Sequence, residues 1–249
     1  MKIISIVNGK GGVGKTASSI NLSAGLTLEG YKVLLIDLDK QGNTTKHFKL
    51  YNPQKPSIVD VMIDGVNPRE VIRHTEVKNL DLLPSVYELE DVPDRILLDL
   101  SKSREKRLKE IQNLDYDFII IDCPPDLGII TINALCVSDY VMVPMIADMW
   151  SLEGFDKITK KIDIVRDNYN SKLKLLGVFV TMDKNTSVNK QIKESLKQQF
   201  KDKFFNTSIR QAEALKKSTF NFMPVIISEP KSTVSIDYKN LVLEVIKNV

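Results

Sequence analysis

A glycine-rich stretch close to the N-terminus, residues 8–19, reads NGKGGVGKTASS. Residues 9–16 fit the pattern G-x-x-x-x-G-K-[ST], in which glycines let backbone N–H groups surround phosphate oxygens, the lysine reaches the terminal phosphates and the hydroxyl can bind Mg²⁺. A chance match in a glycine-rich loop is the alternative, but the stretch follows an apolar run and opens a helical pattern, as such a loop requires. It predicts a nucleotide site formed by Gly9, Lys10, Gly11, Gly12, Val13, Gly14, Lys15, Thr16 and Ala17.

Two apolar runs end in aspartates. The segment VLLIDLD ends in Asp37 and Asp39, and the segment FIIID ends in Asp122. Ligands of parallel α/β sheets collect at the carboxyl ends of the strands, so we expect these side chains near the nucleotide. A carboxylate there can accept hydrogen bonds from water or join the shell of a metal ion. For Asp39, a helix N-cap or turn role is the alternative.

The elements that must position these residues alternate along the chain. Most candidate strands are continuous Ile/Val/Leu runs, which are typical of strands buried on both faces, and the segments between them show helical spacing. This predicts one α/β domain over residues 1–249, a doubly wound, mostly parallel sheet with helices on both faces. The candidate strands are 2–8, 32–38, 80–85, 117–122, 139–145, 175–181 and 223–227, and the candidate helices include 15–29, 101–114, 151–169 and 188–203.

Composition restricts the class of protein. The chain has 249 residues, of which 43% are hydrophobic and 27% charged, as in ordinary globular proteins. No apolar run reaches the roughly 18–20 residues that span a bilayer, and the N-terminus lacks the pattern of a secretory signal. The two cysteines, Cys123 and Cys136, have no CxxC spacing. We expect a cytoplasmic protein with a buried, inert thiol at Cys123; a cluster ligand is the alternative.

The sequence KGGVGKT, residues 10–16, resembles the deviant Walker A motif of the ParA/MinD family of ATPases. Segments 33–45 and 118–135 are similar to the next two motifs of that family, in the same order and spacing, although Lys40 stands where the family usually has proline. The similarity covers nearly the whole chain and is greatest to small Soj-like and plasmid partition ATPases. It implies a P-loop NTPase fold of the deviant Walker A type that binds ATP and Mg²⁺.

The same resemblance implies roles for the polar residues. Lys15 would bind its own nucleotide, whereas Lys10 would reach the partner subunit's phosphates in a nucleotide-sandwich homodimer; a solvated loop lysine is the alternative for Lys10. Asp39 would position or activate the attacking water. The stretch TMDKNTS partly matches the family's adenine pocket and makes Thr181 and Met182 candidates for the base. The expected catalytic residues are therefore Lys10, Lys15 and Asp39, and the expected metal-binding residues are Thr16, Asp37 and Asp122.

Positive charge is concentrated in the C-terminal third. Residues 184–217 contain nine Lys or Arg and three acidic residues, a net charge of 9 − 3 = +6, whereas the whole chain carries +3. Four of the lysines fall on one face of a helix, beside an apolar stripe. A basic stripe without interleaved aromatics suits phosphate contacts rather than base reading; a solvated charged face is the alternative. The candidate DNA-binding residues are Lys190, Lys193, Lys197, Lys201, Arg210, Lys216 and Lys217.

Together these features predict a ParA-type partition ATPase. An ATP-dependent homodimer would bind non-specific double-stranded DNA of the nucleoid, and a ParB-like centromere-binding partner would stimulate slow hydrolysis and release the DNA. No N-terminal helix-turn-helix domain is expected. A MinD-like membrane-associated positioning ATPase is one alternative, but Leu241, Val245 and Val249 indicate a C-terminal core helix rather than a membrane helix. A regulatory ATP-binding switch without turnover is the other alternative, and the intact aspartates argue against it.

Overall fold

A central β-sheet organises the chain, of which the computed structural model describes residues 1–148 and 151–249. The strands are β1 (Lys2–Ile6), β2 (Val33–Asp37), β3 (Arg73–His74), β4 (Leu80–Leu83), β5 (Phe118–Asp122), β6 (Tyr140–Ile146) and β7 (Lys174–Thr181). Within the described residues they form one seven-stranded sheet in the order β3-β4-β2-β5-β1-β6-β7. The β3–β4 pair is antiparallel, and the other neighbours pair in parallel.

Helices cover both faces of this sheet, as predicted. They are α1 (Lys15–Leu28), α2 (Asn43–His47), α3 (Ile58–Ile63), α4 (Pro68–Val71), α5 (Val92–Leu98), α6 (Ile129–Val137), α7 (Ser151–Asn168), α8 (Ser187–Phe200), α9 (Glu213–Phe220), α10 (Val225–Ser228) and α11 (Thr233–Asn248). Side chains of α1, α10 and α11 form one apolar layer, and those of α3 and α5 to α8 form the other. Successive strand residues such as Ile119 and Ile120 enter opposite layers, which explains the continuous apolar runs.

Helix α1 follows the glycine-rich loop and packs closely against α11. A Cβ atom added at Gly25 of α1 would lie 2.5 Å from Cγ2 of Val242 in α11, so glycine is what permits this approach. Leu241 and Val245 of α11 are completely buried in the same layer, which confirms the predicted C-terminal core helix. Among the described residues, no helix is both long enough and apolar enough to cross a membrane.

The prediction of a strand over residues 223–227 is wrong, because this segment leads into helix α10. Its apolar side chains Val225 and Ile226 are buried beneath α1 and α11. The Ile226 N–H donates to Asn21 Oδ1 at 3.2 Å, and the Val225 carbonyl accepts from Ser235 Oγ at 2.8 Å. Side chains therefore satisfy backbone groups that a strand would pair with a neighbour, and so short an apolar run does not reveal this difference.

The predicted helix over residues 101–114 is also wrong. The described structure there has a single 3₁₀ turn at Lys109–Asn113. The side chain of Arg107 is 1% exposed and donates to Asp99 Oδ2 at 2.6 Å, while its backbone N–H donates to Asn133 Oδ1 at 2.7 Å. These contacts with distant residues fix the backbone in a non-helical path. The two-residue strand β3 and several helices, including α2 to α5 and α9, were not predicted.

Candidate functional site

The loop between β1 and α1 is shaped to surround an anion. Gly12 and Gly14 have φ angles of 74° and 82°, in the left-handed region that favours glycine. Nζ of Lys15 crosses the loop and donates to the carbonyl oxygens of Asn8 and Lys10, both at 3.0 Å. Burial lowers the pKa of Lys15. The loop therefore presents backbone N–H groups, a helix N-terminus and an amine at one point, an arrangement that binds phosphate.

The two residues predicted to contact adenine face different ways. Thr181, at the end of β7, is buried, and its hydroxyl lies 2.8 Å from the carbonyl oxygen of Val13 and 3.2 Å from that of Met145. It therefore supports the phosphate loop from behind. Met182 follows with a φ of 51° and lines the cleft in front of the loop. Of the pair, Met182 is the one placed to touch a nucleotide.

Lys10 is the exposed lysine of the loop. Its Nζ lies 2.6 Å from Asp148 Oδ2, and the two side chains are 51% and 29% exposed. Lys10 therefore does not share the position of Lys15: one amine lies inside the loop and the other points out towards the loop after β6. The two amines therefore lie on different sides of the loop.

Two buried aspartates lie side by side next to the phosphate loop. Asp37 ends β2, Asp122 ends β5, and the two residues are register partners. Burial, reinforced by the charge of Asp122, raises the pKa of Asp37 to about 7, and burial raises the pKa of Asp122 to about 6. Their mutual repulsion would be relieved by a cation, so the pair favours positive charge at this edge of the sheet.

The residues beside the loop can hold Mg²⁺ only when a bound nucleotide supplies further ligands. Within the described residues, no three or more His, Cys, Asp or Glu side chains form a group that could hold a metal ion. Mg²⁺ in nucleotide sites is held by one or two carboxylates together with phosphate oxygens and waters. Thr16, at the start of α1, and Asp122, at the end of β5, supply a hydroxyl and a carboxylate next to the loop. Asp37 Oδ1 accepts from the N–H of Asp39 at 3.1 Å, so this carboxylate anchors the following loop.

Asp39 is partly exposed and lines the same cleft as the phosphate loop. Its Oδ1 accepts from the N–H of Gln41 at 2.9 Å, and its carbonyl oxygen accepts from Ser85 Oγ at 2.8 Å. Nζ of Lys40, at the position where proline was expected, lies 2.5 Å from Glu90 Oε1. The loop that carries Asp39 is thus held both by hydrogen bonds to its backbone and by the ion pair between Lys40 and Glu90.

The cleft in front of the loop has a volume of about 480 Å³. The phosphate loop and α1 form one wall, α2 forms another, and α9 with the turn after it forms the third. Burial lowers the pKa of His47 on the α2 wall to about 4, so this imidazole is neutral at pH 7. Sequence reasoning missed much of the lining, namely Ile20, Asn21, Asn43, Lys46, His47, Leu215, Ser218, Thr219 and Phe222. The last four residues have helical spacing, which could have identified them as one wall of the cleft.

The predicted DNA-binding residues divide into paired and exposed groups. Lys193 Nζ lies 2.5 Å from Oδ2 of buried Asp183, and Arg210 donates through Nε and Nη2 to both oxygens of buried Asp237. Lys216 lies 3.3 Å from Glu213 on the solvent side of α9. Helix α8 ends at Phe200, so the fourth lysine of the predicted helical stripe begins a 3₁₀ turn instead. The exposed side chains of the set include those of Lys190, Lys197, Lys201 and Lys217.

The two cysteines are suited to packing. Cys123 is buried, and burial raises the pKa of its thiol well above the usual range. Burial likewise raises the pKa of Cys136, which is partly exposed, to about 12. Neither thiol is activated as a thiolate, which agrees with the expectation of an inert side chain at Cys123.

The fold and the site define a P-loop nucleotide-binding protein. A family model described as an AAA domain matches residues 1–175. The chain is 37% identical to "Sporulation initiation inhibitor protein Soj" of Bacillus subtilis, with 99% of each chain covered. It is 32% identical to "Chromosome partitioning protein ParA" of Caulobacter vibrioides, covering 99% of this chain and 94% of the relative. The chain belongs to the ParA family of ATPases, as its motifs indicate.

Solved structures agree with this assignment. A putative plasmid partition protein from Borrelia burgdorferi B31 bound to AMPPNP superposes with a TM-score of 0.85 at 30% identity, covering 100% of this chain and 99% of the other. Cobyrinic acid a,c-diamide synthase from Mycobacterium smegmatis, with a bound ATP analogue and magnesium, gives a TM-score of 0.85 at 27% identity, covering 97% and 92%. Nucleotide binding therefore accompanies this fold in proteins of different activity.

Proposed function

We propose that this chain is a partition ATPase whose ATP-bound homodimer binds duplex DNA without sequence preference and releases it after hydrolysis. The observation that carries the proposal is the position of α9. Leu215, Ser218 and Thr219 of this helix line the nucleotide cleft, while Lys216 and Lys217 of the same helix face solvent. One helix thus separates the nucleotide from the basic surface. The names of the relatives, which include chromosome and plasmid partition proteins, support the same process.

The cleft residues suit ATP hydrolysis. Lys15 and the backbone of the loop would hold the phosphates, and Thr16 with Asp122 would hold Mg²⁺, which when bound neutralises phosphate charge. Asp39 lines the cleft, and a hydrogen bond from Ser85 to its backbone carbonyl oxygen holds the residue in place. A carboxylate in that position can accept a hydrogen bond from the attacking water. Lys10, directed out of the loop, is the residue we assign to the partner subunit's phosphates.

Dimerisation would give DNA binding its dependence on ATP. A single subunit offers a small basic surface around α8 and α9, and a dimer joins two such surfaces on one molecule. Linking two weak sites raises the overall affinity without any new contact. Because each lysine–phosphate contact releases counterions, the dimer should also show a steeper dependence on salt than the monomer. A ParB-like partner that stimulates hydrolysis would return the protein to the weakly binding state.

The test is binding to random-sequence duplex DNA with ATP, with ADP and without nucleotide, each at two salt concentrations. We expect tight DNA binding only in the presence of ATP, and we expect added salt to lower the affinity. Equal binding under all three nucleotide conditions would contradict the proposed switch. Absence of DNA binding, together with ATP-dependent binding to anionic liposomes, would show that the chain is a membrane-associated ATPase instead.

A further inference from the structure

Two consecutive threonines of α2 hold the two buried aspartates. Thr44 and Thr45 are completely buried. Thr44 Oγ1 donates to Asp122 Oδ2 at 2.7 Å, and Thr45 Oγ1 donates to Asp37 Oδ2 at 2.7 Å. One turn of helix is thus attached to the ends of two adjacent strands through neighbouring side chains.

Thr45 is also part of a backbone anchor. Its N–H donates to the same Asp37 oxygen at 2.8 Å, and its hydroxyl accepts from the N–H of Ser85 at 2.9 Å. Ser85 in turn donates to the carbonyl oxygen of Asp39. The contacts of Thr45 therefore lead to the loop that carries Asp39, both through Ser85 and through Asp37, whose other oxygen accepts from the N–H of Asp39.

The contact of Thr44 leads to a different group. Asp122 is the carboxylate beside Thr16, and its second oxygen accepts from Ser19 Oγ at 3.1 Å. Hydroxyls from α1 and α2 thus restrain both oxygens and fix the rotation of the carboxylate. Loss of a partner that orients a metal-binding carboxylate typically costs 10- to 100-fold in metal affinity.

We propose that Thr44 is a positioning residue that orients Asp122 for Mg²⁺, whereas Thr45 positions the Asp39 loop without acting on the cation. The inference rests on the proposed function, since Mg²⁺ would enter this site with a nucleotide. It also gives α2 a second task. Asn43, Lys46 and His47 of the same turn line the cleft, so the helix that orients the carboxylate forms a wall of the nucleotide site.

The test is a Mg²⁺ titration of fluorescent N-methylanthraniloyl-ADP binding, which involves no turnover. Thr44→Val removes the hydroxyl at nearly constant volume. We expect the Mg²⁺ concentration at half-maximal enhancement of binding to rise by about 10-fold or more, while the nucleotide affinity in EDTA stays unchanged. Thr44→Ser keeps a hydroxyl and should retain the wild-type midpoint.

Thr45→Val is the matched control, because it removes a hydroxyl of the same helix with the same hydrogen-bond length. It should leave the Mg²⁺ midpoint unchanged and reduce ATP turnover. A wild-type midpoint in Thr44→Val, or an equal shift in both valine variants, would overturn the inference. If Thr44→Val does not fold, Thr44→Ala against Thr44→Ser gives the same comparison. A wild-type chain without Mg²⁺-dependent nucleotide binding would instead overturn the proposed function, and the inference with it.

Discussion

Replacing Lys190 and Lys197 of α8 with glutamate tests the basic surface directly. Both side chains are exposed, whereas Lys193 between them is paired with buried Asp183 and is left intact. Replacing Lys193 would leave the buried carboxylate of Asp183 without its cation, so including Lys193 would confuse lost binding with lost folding. Two lysines in each subunit of a dimer allow four phosphate contacts. At about 0.9 per contact, the slope of log affinity against log salt should become shallower by about 3.6 in the double variant.

The assay is fluorescence anisotropy of a labelled random duplex with ATP over a range of salt concentrations. The matched control is Lys55→Glu with Lys78→Glu, which makes the same charge change beside the opposite edge of the sheet, at exposed positions. The control should keep the wild-type slope, and both double variants should dimerise with ATP. An equal loss of slope in the two double variants would mean that net charge, not the α8 surface, governs binding, and would refute the reasoning.

Two further predictions concern the ion pair of Lys10 and the packing of α1. Asp148→Asn removes the carboxylate that holds Lys10 in its own subunit. Because an exposed ion pair contributes about 0.2–1 kcal/mol and dimerisation breaks two of them, ATP-dependent dimerisation measured by sedimentation should tighten about 2- to 30-fold. Unchanged or weaker dimerisation would contradict this, as would the same gain in a Lys10→Ala background. Gly25→Ala improves helix propensity by about 1 kcal/mol, but it places a methyl group 2.5 Å from Val242, a clash that costs about 1–3 kcal/mol. Urea unfolding should therefore show a net loss of stability, which Val242→Ala should relieve. A single variant that is more stable than the wild type would show that α1 and α11 can move apart.

Local patterns predict the parts of this molecule whose structure is determined locally. The run FIIID predicts β5, because successive residues of this strand are buried in opposite apolar layers. The glycines of the phosphate loop predict the turn there, because Gly12 and Gly14 adopt left-handed backbone angles. The segment 101–114 has helical spacing but is not a helix, because Arg107 is drawn to Asp99 and Asn133. A pattern within one segment carries no information about such distant partners.

The nucleotide cleft shows the same division. Its phosphate end comes from one continuous stretch and could be predicted residue by residue. Its other end combines α2 with α9, segments about 170 residues apart in the sequence that meet only in the fold. Thr181 illustrates the consequence, because it was predicted to contact adenine, yet its hydroxyl donates to the carbonyl oxygen of Val13 in the phosphate loop. Sequence places a residue near a site more readily than it orients the side chain.

Charge counts have a similar limit in the basic region. Lys193 and Arg210 contribute to its net charge of +6, but each is paired with a buried aspartate, Asp183 and Asp237 respectively. These pairs attach α8 to the end of β7 and the segment before α9 to α11. Two of the predicted DNA-binding residues therefore hold the surface in place, and the exposed lysines around them are the ones that we propose contact DNA phosphates. Neutralising a paired residue should alter the position of the basic surface, whereas neutralising an exposed lysine should alter its charge alone.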